Sequence, residues 1–443
     1  MLAAAVCTPE ICRSCRNHKG RAMTTNTGNQ ALTPIPSSER VFSWHDHASL
    51  WFSLGVGLLV MQVGAYLVPG VGTRQAVIAI VLGSIVGSGL LAWVARTGCR
   101  TGLSSAGLIH QTYGSSFARL PVVLNIVQLL GWTTFELVIM RESSTAIIKQ
   151  AFGLDLTHSG GAMLVTLFWG LILLALLAGS MITLVRRIIA RFGLPLVILS
   201  LLWLTWQFVG MLNTQGIDAF WNRNGDGSMN LFSAMDLVIA MPISWLPLVA
   251  DYARHGRSER SALGGTWAGY TLANIWCYAL GVIVVSAAPT DGGLVNALLL
   301  AQGGLVALGL IMIDEIDNAY GDLYSGSVST HSLLPKWTIR RWGLVLAVIS
   351  LVLAVFLPIH SLEPFLLTLS SVFVPLYGVI LGRMGNRNAT PNVPTARWGA
   401  ALIWIVGIVL YQSLTAWWPD YGSALPTLVV TFILARATQA RAA

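Results

Sequence analysis

Four of the chain's 18 acidic residues crowd into one stretch, IMIDEIDNAYGDLYSG (311–326), which follows the apolar run NALLLAQGGLVALGL (296–310). They are Asp314, Glu315, Asp317 and Asp322. An acidic residue at mid-membrane costs about 2.5–3.5 kcal/mol, and each Leu or Ile returns only about 0.3–0.6 kcal/mol. Two or three carboxylates turned to lipid would cancel the apolar gain of the segment. They must face the protein interior, water, a cation or a polar ligand. Helical spacing places Asp314, Asp317, Asn318 and Gly321 on one side, flanked by Glu315 and Asp322. No Lys or Arg occurs from 261 to 335, so Asp314 and Glu315 read as cation- or substrate-binding groups. Asp322, nearer the inner third, suits pairing with loop arginines at the cytoplasmic face.

A second constellation lies in NIVQLLGWTTFELVIMRESS (125–144). Trp132 is twelve residues past Leu120, close to mid-membrane, and Glu136 follows one turn later on the same face. The indole offers a flat surface for stacking, and the carboxylate accepts hydrogen bonds from amino or ring N–H groups. That pairing suits a planar heterocycle. A Trp by itself would read as core packing, but a buried Glu beside it needs a partner too. Arg141 and Glu142, at the outer end of the same stretch, read as a local pair or an extracellular gate.

The elements that must position these groups are membrane helices. Hydrophobic residues make up 55% of the chain and charged residues 10%, against about 25% charge in soluble domains. Runs long enough to span give twelve candidates: 44–69, 73–95, 120–148, 161–181, 188–212, 229–251, 263–287, 294–329, 342–359, 362–382, 396–415 and 419–436. With the N-terminus cytoplasmic, the inside loops receive Arg96, Arg100, Arg119, Arg186, Arg187, Arg191 and most later basic residues, and the outside loops little beyond Arg74, Lys149 and Arg223. This bias predicts an even number of spans with both termini inside. The formal charge of +8 is spread over short loops rather than gathered on a face, which favours a topological cause over a nucleic-acid partner, and none is expected.

The first span, SLWFSLGVGLLVMQVGAYLVPG, carries Gly55 and Gly57 near its middle, and the sixth, FSAMDLVIAMPISWLPLVADYAR, carries Pro242 and Pro247. Paired interruptions in corresponding helices point to a transporter of inverted repeats, although two unrelated kinks would give the same pattern. CTPEICRSC (Cys7, Cys12, Cys15) matches no strong zinc spacing, and residues 1–22 read as an upstream extension before a start at Met23. His45 and His47 of SWHDH read as an interfacial approach to the first span. No apolar core precedes residue 50, so no cleavable signal is expected, and no P-loop glycine motif appears. A channel would more readily show repeated pore motifs.

With RTGLSSAGLIHQTYGSSFARLP (100–121), LLGWTTFEL (129–137), ADYARHGRSERSALGGTWAGY (250–270) and DNAYGDLYS (317–325) in view, the chain resembles the nucleobase–cation symporter family. These are permeases for cytosine, allantoin, hydantoins and related compounds. The resemblance covers about residues 40–436 and looks strongest to the hydroxymethylpyrimidine branch, tied to thiamin salvage.

It implies an all-α, leucine-transporter-like fold: a tail (1–40), inverted five-helix repeats over 41–212 and 229–382, two further helices over 396–436, and a cytoplasmic tail (437–443). It further implies alternating access around a mid-membrane site, with helices 1 and 6 interrupted. Family substrates stack on a third-helix aromatic, here Trp132, and meet a polar residue four positions later, here Glu136. The eighth helix supplies an asparagine, Asn318, and the sixth an aromatic, Trp245; Ser244 and Gly57 at the two breaks complete the substrate-binding set.

The coupling cation is expected near carbonyls of Ser53 and Val56 and a Ser/Thr pair of the eighth helix. That helix has no Ser or Thr from 291 to 324, and Asp314 and Glu315 stand near the expected pair. Hard oxygen ligands fit sodium, and a carboxyl could instead carry a proton. The expectation is therefore a symporter, not an enzyme, in the inner membrane as a monomer or weak homo-oligomer. It would need no cofactor beyond sodium or a proton and would import hydroxymethylpyrimidine. Cytosine or another nucleobase is the alternative substrate, and a substrate-sensing receptor the alternative class.

Overall fold

The computed structural model describes residues 29–179, 183–289, 293–356, 362–385, 388–390 and 392–440. Cys7, Cys12, Cys15 and Met23 lie outside them. Helices stand at each of the twelve stretches expected from the sequence. They run as α1 (Trp44–Gly55) and α2 (Leu58–Leu67), α3 (Thr73–Thr101), α4 (Ser105–Tyr113), α5 (Arg119–Phe152), α6 (Ser159–Ala178), α7 (Thr183–Gln215) and α8 (Ile217–Trp221). There follow α9 (Leu231–Ser244) and α10 (Leu246–Ala253), α11 (Glu259–Ala287), α12 (Gly293–Leu298), α13 (Gly304–Leu333), α14 (Ile339–Phe356), α15 (Leu362–Met384), α16 (Trp398–Trp417) and α17 (Ala424–Ala440). Among the described residues, nine helices are long and apolar enough to cross a membrane, ten with the α1–α2 pair counted as one. The acids and polar second half of α13 keep it out of that count, and the apolar part of α17 is shorter. The chain is a multi-pass membrane protein.

The two expected interruptions differ in kind. Between α1 and α2 the chain bends by 60°, with Val56 extended at φ −90°, ψ 137° and Gly57 extended at φ 171°, ψ 159°. The sixth span is interrupted only at Trp245, whose backbone stays helical (φ −86°, ψ −11°). Its prolines explain this mildness. Pro242 leaves the Val238 carbonyl without its helical donor, and the Tyr278 hydroxyl supplies one at 2.9 Å. Asn125 and Gln128 of α5 donate to the Pro247 and Ser244 carbonyls at 3.1 and 3.2 Å. The Ile243 carbonyl, which Pro247 deprives of its helical donor, accepts the Trp245 N–H instead, and the span runs on from Leu231 to Ala253.

The eighth span also departs from expectation. It does not run unbroken from 294: the chain makes the short helix α12, turns at Gly303 (φ 72°) and only then enters α13. The N-terminal segment is not a loose tail over its described part. Phe42 bridges to Gly256, Asn29 Nδ2 donates to the Ser332 carbonyl at 2.8 Å, and Arg40 donates to the Cys99 carbonyl.

α11 is the spine on which α1, α2 and α3 pack. Its crossing with α2 is close enough that a Cβ on Gly281 would lie 2.0 Å from the Met61 carbonyl oxygen, and one on Gly64 would lie 2.2 Å from that of Tyr278. Small residues at such crossings let backbones approach where lipid provides no hydrophobic drive. We expect Gly281→Val to destabilise the protein by at least about 1–3 kcal/mol. A thermal unfolding curve in detergent, set beside that of the exposed, lipid-side Leu402→Val, checks this.

Candidate substrate and cation site

The break between α1 and α2 leaves backbone groups that neither half-helix can satisfy. Side chains of α13 take them. Asn318 Nδ2 donates to the Val56 carbonyl at 3.2 Å, and the Leu58 N–H donates to Glu315 Oε1. One turn earlier on α13, Asp314 Oδ1 accepts from the Ser53 hydroxyl at 2.8 Å. Gly57 sits between the two helices because a Cβ there would lie 3.1–3.3 Å from Glu315 and Asn318. It is close approach, not backbone conformation, that calls for glycine.

Adjacent helical residues point about 100° apart, and this splits the acids of α13 between two sites. Asp314 and Asp317 line a small cavity of about 10 Å³ together with Ser53, Ile313 and Gly193, Leu194 and Val197 of α7. That is about the space of one water-sized particle. Glu315 turns instead towards α5, where its carboxyl interacts with that of Glu136 and with the Asn318 side chain. Both groups are acceptors when ionised, so the contact needs a proton or a ligand N–H between them. Glu136 Oε2, Glu315 Oε2 and Asn318 Oδ1 are buried without a partner. This cluster asks for donors.

Trp132 stands one turn from Glu136, 6% exposed, its Nε1 without an acceptor. Phe365 of α15 meets it edge-on at 5.3 Å and 73°. Phe365 comes this near because Gly131 has no side chain: a Cβ there would lie 2.8 Å from the Phe365 ring. Trp245 lies at the sixth-span break but turns to an aromatic group of Trp51, Tyr252 and Tyr270, with Trp51 at 6.0 Å and 87°. The Ser244 hydroxyl is spent on the Met241 carbonyl at 2.7 Å. The structure therefore joins Trp132, Glu136, Glu315, Asn318, Val56 and Gly57, places Ser53 with Asp314 beside them, and leaves the hydroxyl of Ser244 on its own helix.

Asp322 departs from the expected arginine pairing. It is 2% exposed and forms no ion pair among the described residues. It lies eleven residues before the end of α13, beyond reach of the loops, and shares with Glu315 and Asn318 the side of the helix that Glu136 approaches. Arg141 and Glu142 do approach each other, at 4.0 Å, while Arg141 also donates to the Ala354 carbonyl. His47 is fully buried against Phe42 rather than interfacial.

Two contributors escaped sequence reasoning. Gln128 continues the stripe one turn before Trp132, tying it to the Ser244 carbonyl and keeping Oε1 unpartnered. Its four-residue spacing from Trp132 was a visible signal. Phe365 had none, because only the packing of α15 on α5 brings it near.

A family model described as "Permease for cytosine/purines, uracil, thiamine, allantoin" matches residues 34–411. The chain belongs to this permease family. It is 25% identical over 403 residues to the cytosine permease of Escherichia coli K12, covering 86% of this chain and 89% of that one. A purine-uracil permease of Arabidopsis thaliana is 30% identical over 109 residues, 24% of this chain and 18% of that one. Among solved structures, Mhp1, a nucleobase-cation-symport-1 family transporter in a closed conformation with bromovinylhydantoin bound, superposes with a TM-score of 0.77 at 16% identity, over 94% of this chain and 95% of that one. A sodium-coupled sialic acid symporter follows at 0.61 and 12%, over 93% and 92%. The all-helical, leucine-transporter-like fold expected from the sequence is the fold of these neighbours. The protein is a membrane transporter and not an enzyme.

The hydrogen bond from Asn318 to Val56 carries stability as well as site geometry. Asn318→Leu leaves a buried carbonyl without a donor, a loss of about 1–3 kcal/mol. Its thermal midpoint in detergent should fall below that of Ser244→Ala, whose hydroxyl serves only its own helix.

Proposed function

We propose that the protein is a cation-coupled symporter that imports a small planar aminopyrimidine by alternating access, with hydroxymethylpyrimidine its substrate. The observation that carries this reading is the convergence of Trp132 and Glu136 on Glu315 and Asn318 at the break between α1 and α2. The indole gives a stacking surface, and the acceptor-rich cluster suits a ring that brings an exocyclic amine. A 4-amino-5-hydroxymethyl-2-methylpyrimidine has that amine next to a basic ring nitrogen, so a carboxyl of Glu136 can address both positions. Cytosine has the same amino edge, and the relation to a cytosine permease supports it as the alternative substrate.

The cation belongs in this reading beside Ser53 and Asp314, in the small cavity against α7. Its oxygen donors suit sodium, and the carboxyl suits a proton. The distribution of basic loop residues supports an inner-membrane protein with both termini in the cytoplasm and two inverted repeats over 41–212 and 229–382.

Uptake of labelled hydroxymethylpyrimidine and of labelled cytosine into proteoliposomes, with sodium and pH gradients imposed separately, tests the reading. Accumulation of the first above the second is expected. Binding without accumulation under either gradient overturns the transporter reading in favour of a sensor. Trp132→Ala should weaken binding about 5- to 150-fold, the range for losing one aromatic stacking partner, and Glu136→Gln should lower uptake more than it lowers expression. Asp314→Asn should abolish cation-driven accumulation while exchange of labelled for unlabelled substrate persists.

A further inference from the structure

The break and inner half of the sixth span are held differently on their two sides. Towards α3, α10 packs backbone against backbone: a Cβ on Gly98 would lie 2.7 Å from the Ala250 Cβ and 2.9 Å from its Cα. Towards α5 and α13 the hold is by polar side chains, Asn125, Gln128 and Tyr252, each at most 1% exposed. Gln128 Nε2 donates to the Ser244 carbonyl at 3.2 Å and Asn125 Nδ2 to the Pro247 carbonyl at 3.1 Å. The Tyr252 hydroxyl donates to the Gly321 carbonyl of α13 at 3.0 Å. Asn125 is the junction. Its Nδ2 also donates to Ser329 Oγ of α13 at 3.0 Å, and its Oδ1 accepts from Gln128 at 3.0 Å. The carbonyl acceptors beside both amides fix which end of each is nitrogen. No ion pair among the described residues joins α10 to either helix.

These bonds lie between Trp132 and the end of the molecule where the N-terminal segment meets Ser332 and Gly256. Gln128 and Asn125 precede Trp132 on α5, and Gly321 follows Asn318 by one turn on α13. We propose that α10 is a gate on this side of the site, latched by Gln128, Asn125 and Tyr252, that parts from α5 and α13 while staying on α3. The contrast between its two sides decides which one gives way. Backbone packing around a glycine cannot open without leaving a void, whereas neutral hydrogen bonds exchange for water at small net cost. Asn125 keeps Ser329 when it releases Pro247, because α5 and α13 remain packed: a Cβ on Gly326 would lie 3.8 Å from the Leu129 Cβ. In the proposed orientation this side is the cytoplasm, so the gate governs release of the imported substrate. It rests on the proposed function for that orientation and for the substrate's place beside Trp132.

Ser325 can report on the gate. It is fully buried, one turn after Gly321, and next to Tyr324, whose ring meets that of Tyr252 at 5.6 Å. In the full-length protein carrying Ser325→Cys in lipid nanodiscs, alkylation by N-ethylmaleimide is followed by mass spectrometry on the peptide that holds position 325. Tyr252→Phe keeps the ring and loses only the latch hydroxyl. It should speed alkylation at 325 about 2- to 10-fold, the range for one buried neutral hydrogen bond. Asn125→Leu should speed it at least as much. Ser329→Ala cuts a bond between the two helices that stay together, and should remain within about twofold of the Ser325→Cys parent. Cys99, buried near the inner end of α3, reports general loosening in the same samples and should not change. Unchanged alkylation at 325 in Tyr252→Phe overturns the gate, whether or not Asn125→Leu folds. Equal acceleration in Ser329→Ala, or at Cys99, overturns it too. The comparison needs no substrate, so failure of the wild type to bind either pyrimidine sinks the substrate reading and leaves the gate standing.

Discussion

Carboxylates buried at mid-membrane have to be satisfied from within the protein, and that constraint shapes the centre of this transporter. Glu136, Asp314, Glu315 and Asp322 are each at most 5% exposed, and no Lys or Arg occurs between 261 and 335 to neutralise the helix that carries three of them. Isolated charges there would cost several kcal/mol each. The fold meets the demand with hydrogen-bond donors that a regular helix cannot offer. Breaking the first span frees the Leu58 N–H, and the Ser53 hydroxyl serves Asp314. The acids and the break need each other: the break would expose unpaired backbone without them, and they would lack donors without it.

The same accounting explains why the two interrupted spans are unequal. In the sixth, the carbonyl orphaned by Pro242 is met by the Tyr278 hydroxyl and the Ser244 carbonyl beside the break by Gln128, both neutral, and the span runs on from Leu231 to Ala253. In the first, the orphaned groups are met by an acid and an amide from another helix, which hold it open at 60°.

The arrangement also separates two acids that are neighbours in sequence. Asp314 and Glu315 are neighbours in sequence, yet one faces a cavity fit for a single small particle and the other faces the aromatic–carboxylate pair of α5. In the proposed reading a cation and a heterocycle are held side by side, both against the first span. Membership of the permease family gives the frame for that division of labour.

Much of this was legible in the sequence. The low charge content, the twelve long apolar runs and the four clustered acids established a polytopic membrane protein with a polar interior, because hydrocarbon tolerates nothing else. The four-residue step from Trp132 to Glu136, and Gly57 in mid-span, marked the candidate site, since a helical repeat is a local property. Facing was not local. That Glu315 rather than Asp314 meets Glu136, that Phe365 closes on Trp132, that Asp322 pairs with no arginine among the described residues, and that the eighth span begins only at Gly304 depend on how α5, α7 and α15 pack around α13. The sequence determined which side chains could not be given to lipid; the tertiary structure decided which donors would receive them, because donors and acids come from helices hundreds of residues apart.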